Sequence, residues 1–395
     1  MKLDRGAPEG RFARFELMSW WDQERLARAR VLVIGAGALG NEILKNLALL
    51  GIGNVFVADL DTVANSNLSR SVLFRAEDCG QAKVDIACRR AKDIYPGLKT
   101  RAFHGNIVYD LGLGVYRWAD VILGGLDNRE ARVAINRSAG RAGKVWIDGA
   151  IERLDGVARV FDPAVGPCYE CTMSEVDWKM LQARRSCALL SRRDMEEGKV
   201  PTTPTTASVI AGIQCQEAVK YLHGLEVISG QGFVFEGTRH ESYLVRYVRK
   251  EDCPAHEVDE PVEPLPWRTT DTQVGTLLEH ARAELGADAV LETNQDLLAA
   301  LYCARCEEEE TLFTSLGKVT EEQGRCPRCH EDRAPRIFHT IDGTSPALAE
   351  RTFAAIGVPP WDVVTARSGL KQRFYEFQGD RQSVLGELDA SETPT

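Results

Sequence analysis

RVLVIGAGALGNEILKNLALLGIGNVFVADLD, residues 30–61, decides the fold. RVLVIG is a short β-branched run with the character of a buried strand, and GAGALG (Gly35 to Gly40) follows it without a gap. NEILKNLALLGI then places apolar residues at helical spacing, and NVFVADLD reads as a second strand ending in Asp59 and Asp61. Strand, glycine turn, helix, strand is the opening half of a doubly wound nucleotide-binding sheet. A glycine turn alone is weak evidence. Here it has a strand before it, a helix after it, and Asp59 roughly two dozen residues on, where a ribose hydroxyl is bound in such sheets.

Outward from this core, DVILGGLD (120–127), KVWIDGA (144–150) and VARVFD (157–162) read as further strands. TASVIAGIQCQEAVKYLH (206–223) reads as an apolar helix, and FVFEG (233–237) with SYLVRYV (242–248) as a closing antiparallel pair. HEVDEPVEPLP (256–266) has the composition of a linker. Past it stand a helix at 272–285, two CxxC pairs, a strand RIFHTI (336–341), a helix at 346–356, a strand QRFYEF (372–377) and a polar tail expected to fray. The expected organisation is α/β: a Rossmann-like nucleotide-binding domain over residues 1–260, with a charge-rich crossover segment at 172–205. A small α+β unit follows at 261–395, carrying a zinc ribbon at 303–329.

The chain has 395 residues, 44% apolar and 27% charged, with a net charge of −10. This suits a folded two-domain protein and speaks against a general nucleic-acid or membrane-surface binder. No apolar run reaches the roughly 18 residues that span a bilayer. MKLDRGAPEGR lacks the apolar stretch of a secretory signal, so the expectation is a cytoplasmic protein. In that setting eleven cysteines read as metal ligands or reactive thiols rather than disulfides.

Two kinds of chemistry stand out. DLDTVANSNLSRSVLFRAEDCGQAKVD (59–85) supplies Asn67, Arg70 and Lys83, which suit phosphates better than a nicotinamide ring. Asp127, at a strand end in GLDN, suits Mg²⁺. These features favour MgATP over NAD. Cys303, Cys306, Cys326 and Cys329 form CARC-x₁₉-CPRC, a strong structural zinc-ribbon spacing. The adjacent EEEE (307–310) disfavours nucleic acid as its partner. Cys168, Cys171, Cys253 and His256 suit a second, Cys₃His zinc site; ordinary buried thiols are the plain alternative. Cys79, Cys88 and Cys215 sit in partly apolar helical contexts and read as packing residues.

GAGALG, Asp59-Leu60-Asp61, NLSR (67–70), the GQAK ending in Lys83, GLDN and CYEC together resemble the ubiquitin-activating enzyme family, over residues 11 to about 256. That family includes the adenylyltransferases of molybdopterin and thiamine biosynthesis. RKEDCPAH (249–256) is similar to the activating subunit for NEDD8, with His256 in place of a fourth cysteine. The resemblance implies that the C-terminal glycine carboxylate of a ubiquitin-like protein attacks the α-phosphate of MgATP. A cysteine thiolate then takes the acyl group as a thioester. By motif, Gly35, Gly37, Ala38 and Gly40 form the nucleotide turn, Asp59 with Asp61 the ribose end, and Asn67, Arg70 and Lys83 hold phosphates. Asp127 holds the metal, Asn128 lies beside the nucleotide, and Arg14 in RFAR reaches a γ-phosphate across a dimer.

Cys187 lies in the crossover segment where ubiquitin-activating relatives carry the acyl-accepting cysteine. Arg184, Arg185, Arg192 and Arg193 around it favour thiolate, although a free thiol on a loop is the plain alternative. The last unit resembles in position the ubiquitin-fold domain that recruits a conjugating enzyme. WDVV (361–364) and RFYEF (373–377) could offer apolar edges to that partner. A homodimer is implied. The economy of the chain resembles compact activating enzymes of bacterial ubiquitin-like conjugation operons, some linked to phage defence. The rival readings are a sulfur-carrier adenylyltransferase without a thioester and a non-catalytic scaffold.

Overall fold

The computed structural model describes residues 10–186 and 201–392. Its first sheet holds eight strands: β1 (Arg30–Ile34), β2 (Asn54–Asp59), β3 (Lys99–His104), β4 (Val121–Gly124), β5 (Trp146–Glu152), β6 (Asp155–Phe161), β7 (Gln231–Glu236) and β8 (Glu241–Arg246). Their spatial order is β3-β2-β1-β4-β5-β6-β7-β8. The first five are parallel, as β-branched runs buried on both faces require, and β6 to β8 continue the sheet antiparallel. The order of the strands switches at β1, with β2 and β3 laid down on one side and β4 and β5 on the other. A crevice therefore opens at the carboxyl ends of β1 and β4, where ligands bind in open α/β sheets.

Alternation along the strands sorts the core into two layers. Val31, Val33, Val55, Val57, Leu123 and Ile147 face α2 (Ala38–Leu50), α3 (Lys83–Ile94) and α8 (Pro204–Leu222). Leu32, Ile34, Phe56 and Ile122 face α4 (Leu113–Trp118) and α5 (Arg129–Arg141). Before the first strand lies α1 (Gln23–Arg28). Between β6 and α8 come the short α6 (Tyr169–Thr172) and α7 (Glu175–Ser186), so the crossover segment opens as a helix.

The second sheet is built from β9 (Val262–Leu265), β10 (Val290–Cys303), β11 (Glu308–Ser315), β12 (Ala334–Ile341), β13 (Val363–Ser368) and β14 (Lys371–Phe377). Its order is β11-β10-β13-β14-β9, with β12 also on β10, and α9 (Val274–Leu285) covers one face. Several expectations change here. The linker contains β9, which pairs parallel with β14, because Pro264 stands on an edge strand where its missing N–H costs no ladder bond. The helix expected at 346–356 is two single turns, Pro346–Ala349 and Phe353–Ile356, each with its own hydroxyl cap from Ser345 and Thr352.

WDVV and RFYEF are not edges for a partner. Trp361, Val363 and Phe374 are buried in the same core cluster as Leu32, Ile34 and Phe56, on the first sheet's α4 side. Gly114 lies so close that a Cβ there would stand 2.4 Å from the Trp361 indole. Asp362 Oδ1 accepts from the Leu113 amide at 2.8 Å. The tail does not fray at once either: Leu385 and Leu388 are fully buried in the same layer, and Glu387 accepts from Lys92 Nζ at 2.6 Å. The two sheets thus share a core. Among the described residues no helix is long and apolar enough to cross a membrane.

Candidate nucleotide site and cysteine clusters

Three glycines of the turn after β1 do three different things. Gly35 has φ +95°, and a Cβ on it would stand 2.5 Å from the Gly125 carbonyl oxygen. A Cβ on Gly40 would strike the Gly35 carbonyl, so Gly40 lets α2 pack onto the turn. A Cβ on Gly37, the N-cap of α2, would meet nothing within 4 Å among the described residues, which leaves open space at a helix N-terminus, where amides favour an anion. Gly35→Ala is therefore expected to lower stability by at least about 2 kcal/mol in urea denaturation. Gly37→Ala should stay within about 0.5 kcal/mol of wild type but bind ATP at least tenfold more weakly by titration, through steric exclusion. Equal stability losses for the two would refute this division.

Asp59, at the end of β2, closes the turn from the other side. Its Oδ2 accepts from the Ala36 amide at 2.6 Å and Oδ1 from the Asp61 amide at 2.7 Å. Burial pushes its carboxyl above the ordinary aspartate range, and nearby Lys83 and the two amides offset only part of that rise. Lys83 opens α3 and reaches back so that Nζ lies 2.6 Å from Asp61 Oδ2. A buried ammonium thus faces the turn with an exposed carboxylate as its partner.

Asn67 Oδ1 accepts from the Ala64 amide, and Arg70 Nη1 donates to the Ser66 carbonyl, so both belong to one folded connection between β2 and α3. Asp127 is exposed beyond the end of β4, and Asn128 beside it caps α5 by accepting from the Ala131 amide at 2.8 Å. The packing of Gly125 on Gly35 brings this loop to the glycine turn. Ala38 begins α2. Arg14 lies exposed at the N-cap of a short 3₁₀ turn, next to Phe15, which packs on Trp21; no described contact joins Arg14 to the glycine turn.

Four buried or largely buried residues behind this crevice escaped sequence reading. Asn41 Nδ2 donates to the carbonyls of Ala36 and Gly37, and its Oδ1 accepts from the Leu73 amide at 2.9 Å. It ties the turn to the connection that carries Arg70. Arg132 donates to the Leu126 and Gly149 carbonyls and to Asp148, which also takes Arg159. The available signal was polar side chains inside apolar runs, such as Asp148 in KVWIDGA.

Cys168, Cys171, Cys253 and His256 converge. Cys168 Sγ lies 3.7 Å from Cys171 Sγ and 3.6 Å from Cys253 Sγ, and Cys171 Sγ is 3.1 Å from His256 Nε2. Four thiolates on a tetrahedral ion with bonds of about 2.3 Å stand about 3.8 Å apart, so the donors fit zinc. Glu170, between the first two ligands, is gripped by Asn136 and Arg137 of α5. Cys303–Cys329 at 3.5 Å and Cys306–Cys326 at 3.9 Å make the second cluster, at the end of β10. Either set could hold zinc.

Cys187 lies outside the described residues, as do Arg192 and Arg193. α7 runs to Ser186, and Asp177 near its start meets Arg129, the first residue of α5, at 2.5 Å. The remaining thiols differ from expectation in one case: Cys79 is exposed. It follows a 3₁₀ turn instead of lying on the inner face of a helix. Burial pushes Cys88 and Cys215 up to about 12, so neither supplies thiolate near neutrality.

Fold and crevice define a doubly wound nucleotide-binding protein. The chain belongs to the ThiF family, matched over residues 10–255, within the superfamily of adenylyltransferases that includes activators of ubiquitin-like proteins. It is 31% identical over 247 residues to the sulfur carrier protein adenylyltransferase of Thermus thermophilus, covering 61% of this chain and 86% of that one. To the NEDD8-activating enzyme E1 catalytic subunit of Arabidopsis thaliana it is 39% identical over 157 residues, 36% of this chain and 34% of the relative. The chain therefore spans about a third of that relative's length. E. coli MccB, crystallised with ATP, shares the fold with a TM-score of 0.52 at 22% identity, over 63% of this chain and 75% of that one.

Proposed function

We propose that this protein adenylates the C-terminal carboxylate of a ubiquitin-like protein with MgATP and then takes the acyl group as a thioester on Cys187. The observation that carries the first step is the junction of an open glycine at a helix N-terminus, the buried Lys83 ammonium and the exposed Asp127 carboxylate. A carboxylate oxygen attacks the α-phosphorus, and pyrophosphate leaves with the electron pair. Lys83, Asn67 and Arg70 neutralise the phosphates, Asp127 holds Mg²⁺, and Asp59 holds the ribose. Asn128 lines the nucleotide, and Arg14 serves from a second copy of the chain.

In the second step the Cys187 thiolate attacks the acyl carbon and AMP leaves. The Arg129–Asp177 pair supports this reading, because it fastens the helix leading to Cys187 beside the loop that carries Asp127. Both cysteine clusters hold structural zinc in this reading, residues 1–260 form the adenylation domain, and residues 261–395 present a ubiquitin-fold-like unit to a conjugating enzyme in the cytoplasm. Placement in a bacterial antiphage operon belongs to the same reading.

The length match to the Thermus relative favours a second reading, a sulfur-carrier adenylyltransferase that makes no thioester. Intact mass under non-reducing conditions, with MgATP and a ubiquitin-like protein from the same operon, separates them. The expected result is a thiol-labile adduct in wild type and none in Cys187→Ala, with pyrophosphate exchange within threefold in both. Exchange without an adduct in wild type establishes the second reading. No exchange in either sinks both and leaves a scaffold.

A further inference from the structure

Glu263, His280 and Glu284 bring three donors together in the C-terminal unit, far in chemistry from the two thiolate clusters. Glu263 stands on β9, in register with Tyr375 of the parallel neighbour β14. His280 and Glu284 stand one turn apart on α9, the helix that covers this sheet. One donor atom from each lies within 4.8 Å of the others.

Three observations separate this group from an ordinary solvated face. Among the described residues, His280 Nε2 is sealed from solvent and has no hydrogen-bond partner. It points to Glu284 Oε1 at 3.8 Å, too long for a hydrogen bond. Two donors bound to one ion at about 2.1 Å stand about 3.4 Å apart in tetrahedral geometry, so the pair needs to close by only a few tenths of an ångström. The imidazole is wedged between the rings of Trp267 and Tyr375, each 5.3 Å away and inclined at 70° and 65°. Finally, the Tyr375 hydroxyl donates to Glu284 Oε2 at 2.9 Å, which fixes that carboxylate and leaves Oε1 toward the histidine. Outer partners of this kind orient metal ligands. Arg373 Nε lies 3.9 Å from the same Oε2.

We propose that Glu263, His280 and Glu284 form a metal site for a divalent transition ion, with zinc as the probe. One imidazole and two carboxylates suit Zn²⁺ and leave a position for water. Such an ion ties β9, the edge strand through which the chain enters this unit, to the helix across it.

The test titrates Zn²⁺ into the full-length protein, nucleotide-free and with its cysteine clusters already loaded, by calorimetry. The expected result is one further equivalent per chain, bound at least tenfold more weakly in His280→Gln and in Glu263→Gln and unchanged in Asp127→Asn. No further equivalent in wild type overturns the site, as does uptake that both substitutions leave intact. Should His280→Gln fail to fold by circular dichroism, Glu263→Gln decides alone, since its partly exposed side chain on an edge strand is not needed for the core.

Discussion

Asp148→Asn is expected to cost about 3–5 kcal/mol of stability, because it leaves two buried guanidinium groups without their charge partner. Asp148 is fully buried on β5, with Arg132 Nε 3.0 Å from one carboxylate oxygen and Arg159 Nε 3.0 Å from the other. Both arginines are themselves largely buried, so water cannot replace the lost acceptor. Burial pushes the Asp148 carboxyl up, but Arg159 and Arg132 together hold it below the ordinary aspartate range. A carboxyl with a depressed native pKa contributes stability above its unfolded value, near pH 4, and loses it as pH falls through the native one. The deficit of the variant in urea denaturation should therefore be full at pH 7 and shrink toward pH 3. A midpoint within 1 kcal/mol of wild type at pH 7 would sink the argument. Because Arg132 also donates to the Leu126 carbonyl, the variant should loosen the loop that carries Asp127.

Asp127→Asn has the opposite signature. Its carboxylate is exposed, with only Asn128 Nδ2 among the described residues within hydrogen-bonding range at 3.4 Å, so the fold should hold within about 0.5 kcal/mol. An amide of the same shape cannot neutralise Mg²⁺ at the developing charge. ATP–pyrophosphate exchange should fall by about 10²–10³, the usual cost of removing one preorganised electrostatic contact. Exchange within threefold of wild type would remove Asp127 from the site. The two aspartates lie 21 residues apart, one past the end of β4 and the other within its neighbour β5. Burial separates them: Asp148 is enclosed with its two arginines, whereas Asp127 is exposed.

Much of this was legible without coordinates. The places of the glycine turn, Asp59, Lys83 and Asp127 are legible because their spacing is local: each stands near a strand end or a helix start that hydrophobic periodicity already marks. The cysteine clusters were legible for a related reason, since CxxC presents two donors within one turn and needs only a second pair. Asn41, Arg132 and Arg159 were not. Their partners are backbone carbonyls and carboxylates from other elements, and nothing in the residues beside them marks that role.

The C-terminal unit shows the limit most clearly. β9 lay hidden in a stretch rich in proline and glutamate, because an edge strand needs no apolar alternation. WDVV and RFYEF are as apolar as a docking edge would be; only their burial in the core that holds Leu32 and Phe56 decides that they join two sheets of one chain. By itself the sequence determined the doubly wound nucleotide fold, the glycine turn and both cysteine clusters, since each follows from period and spacing along the chain. The tertiary structure decided which carboxylates are buried, which apolar runs face inward and how helix α5 spans from the Asp127 loop to the Glu170 knuckle. Burial and long-range pairing depend on what the rest of the chain places opposite a residue, and no local pattern encodes that.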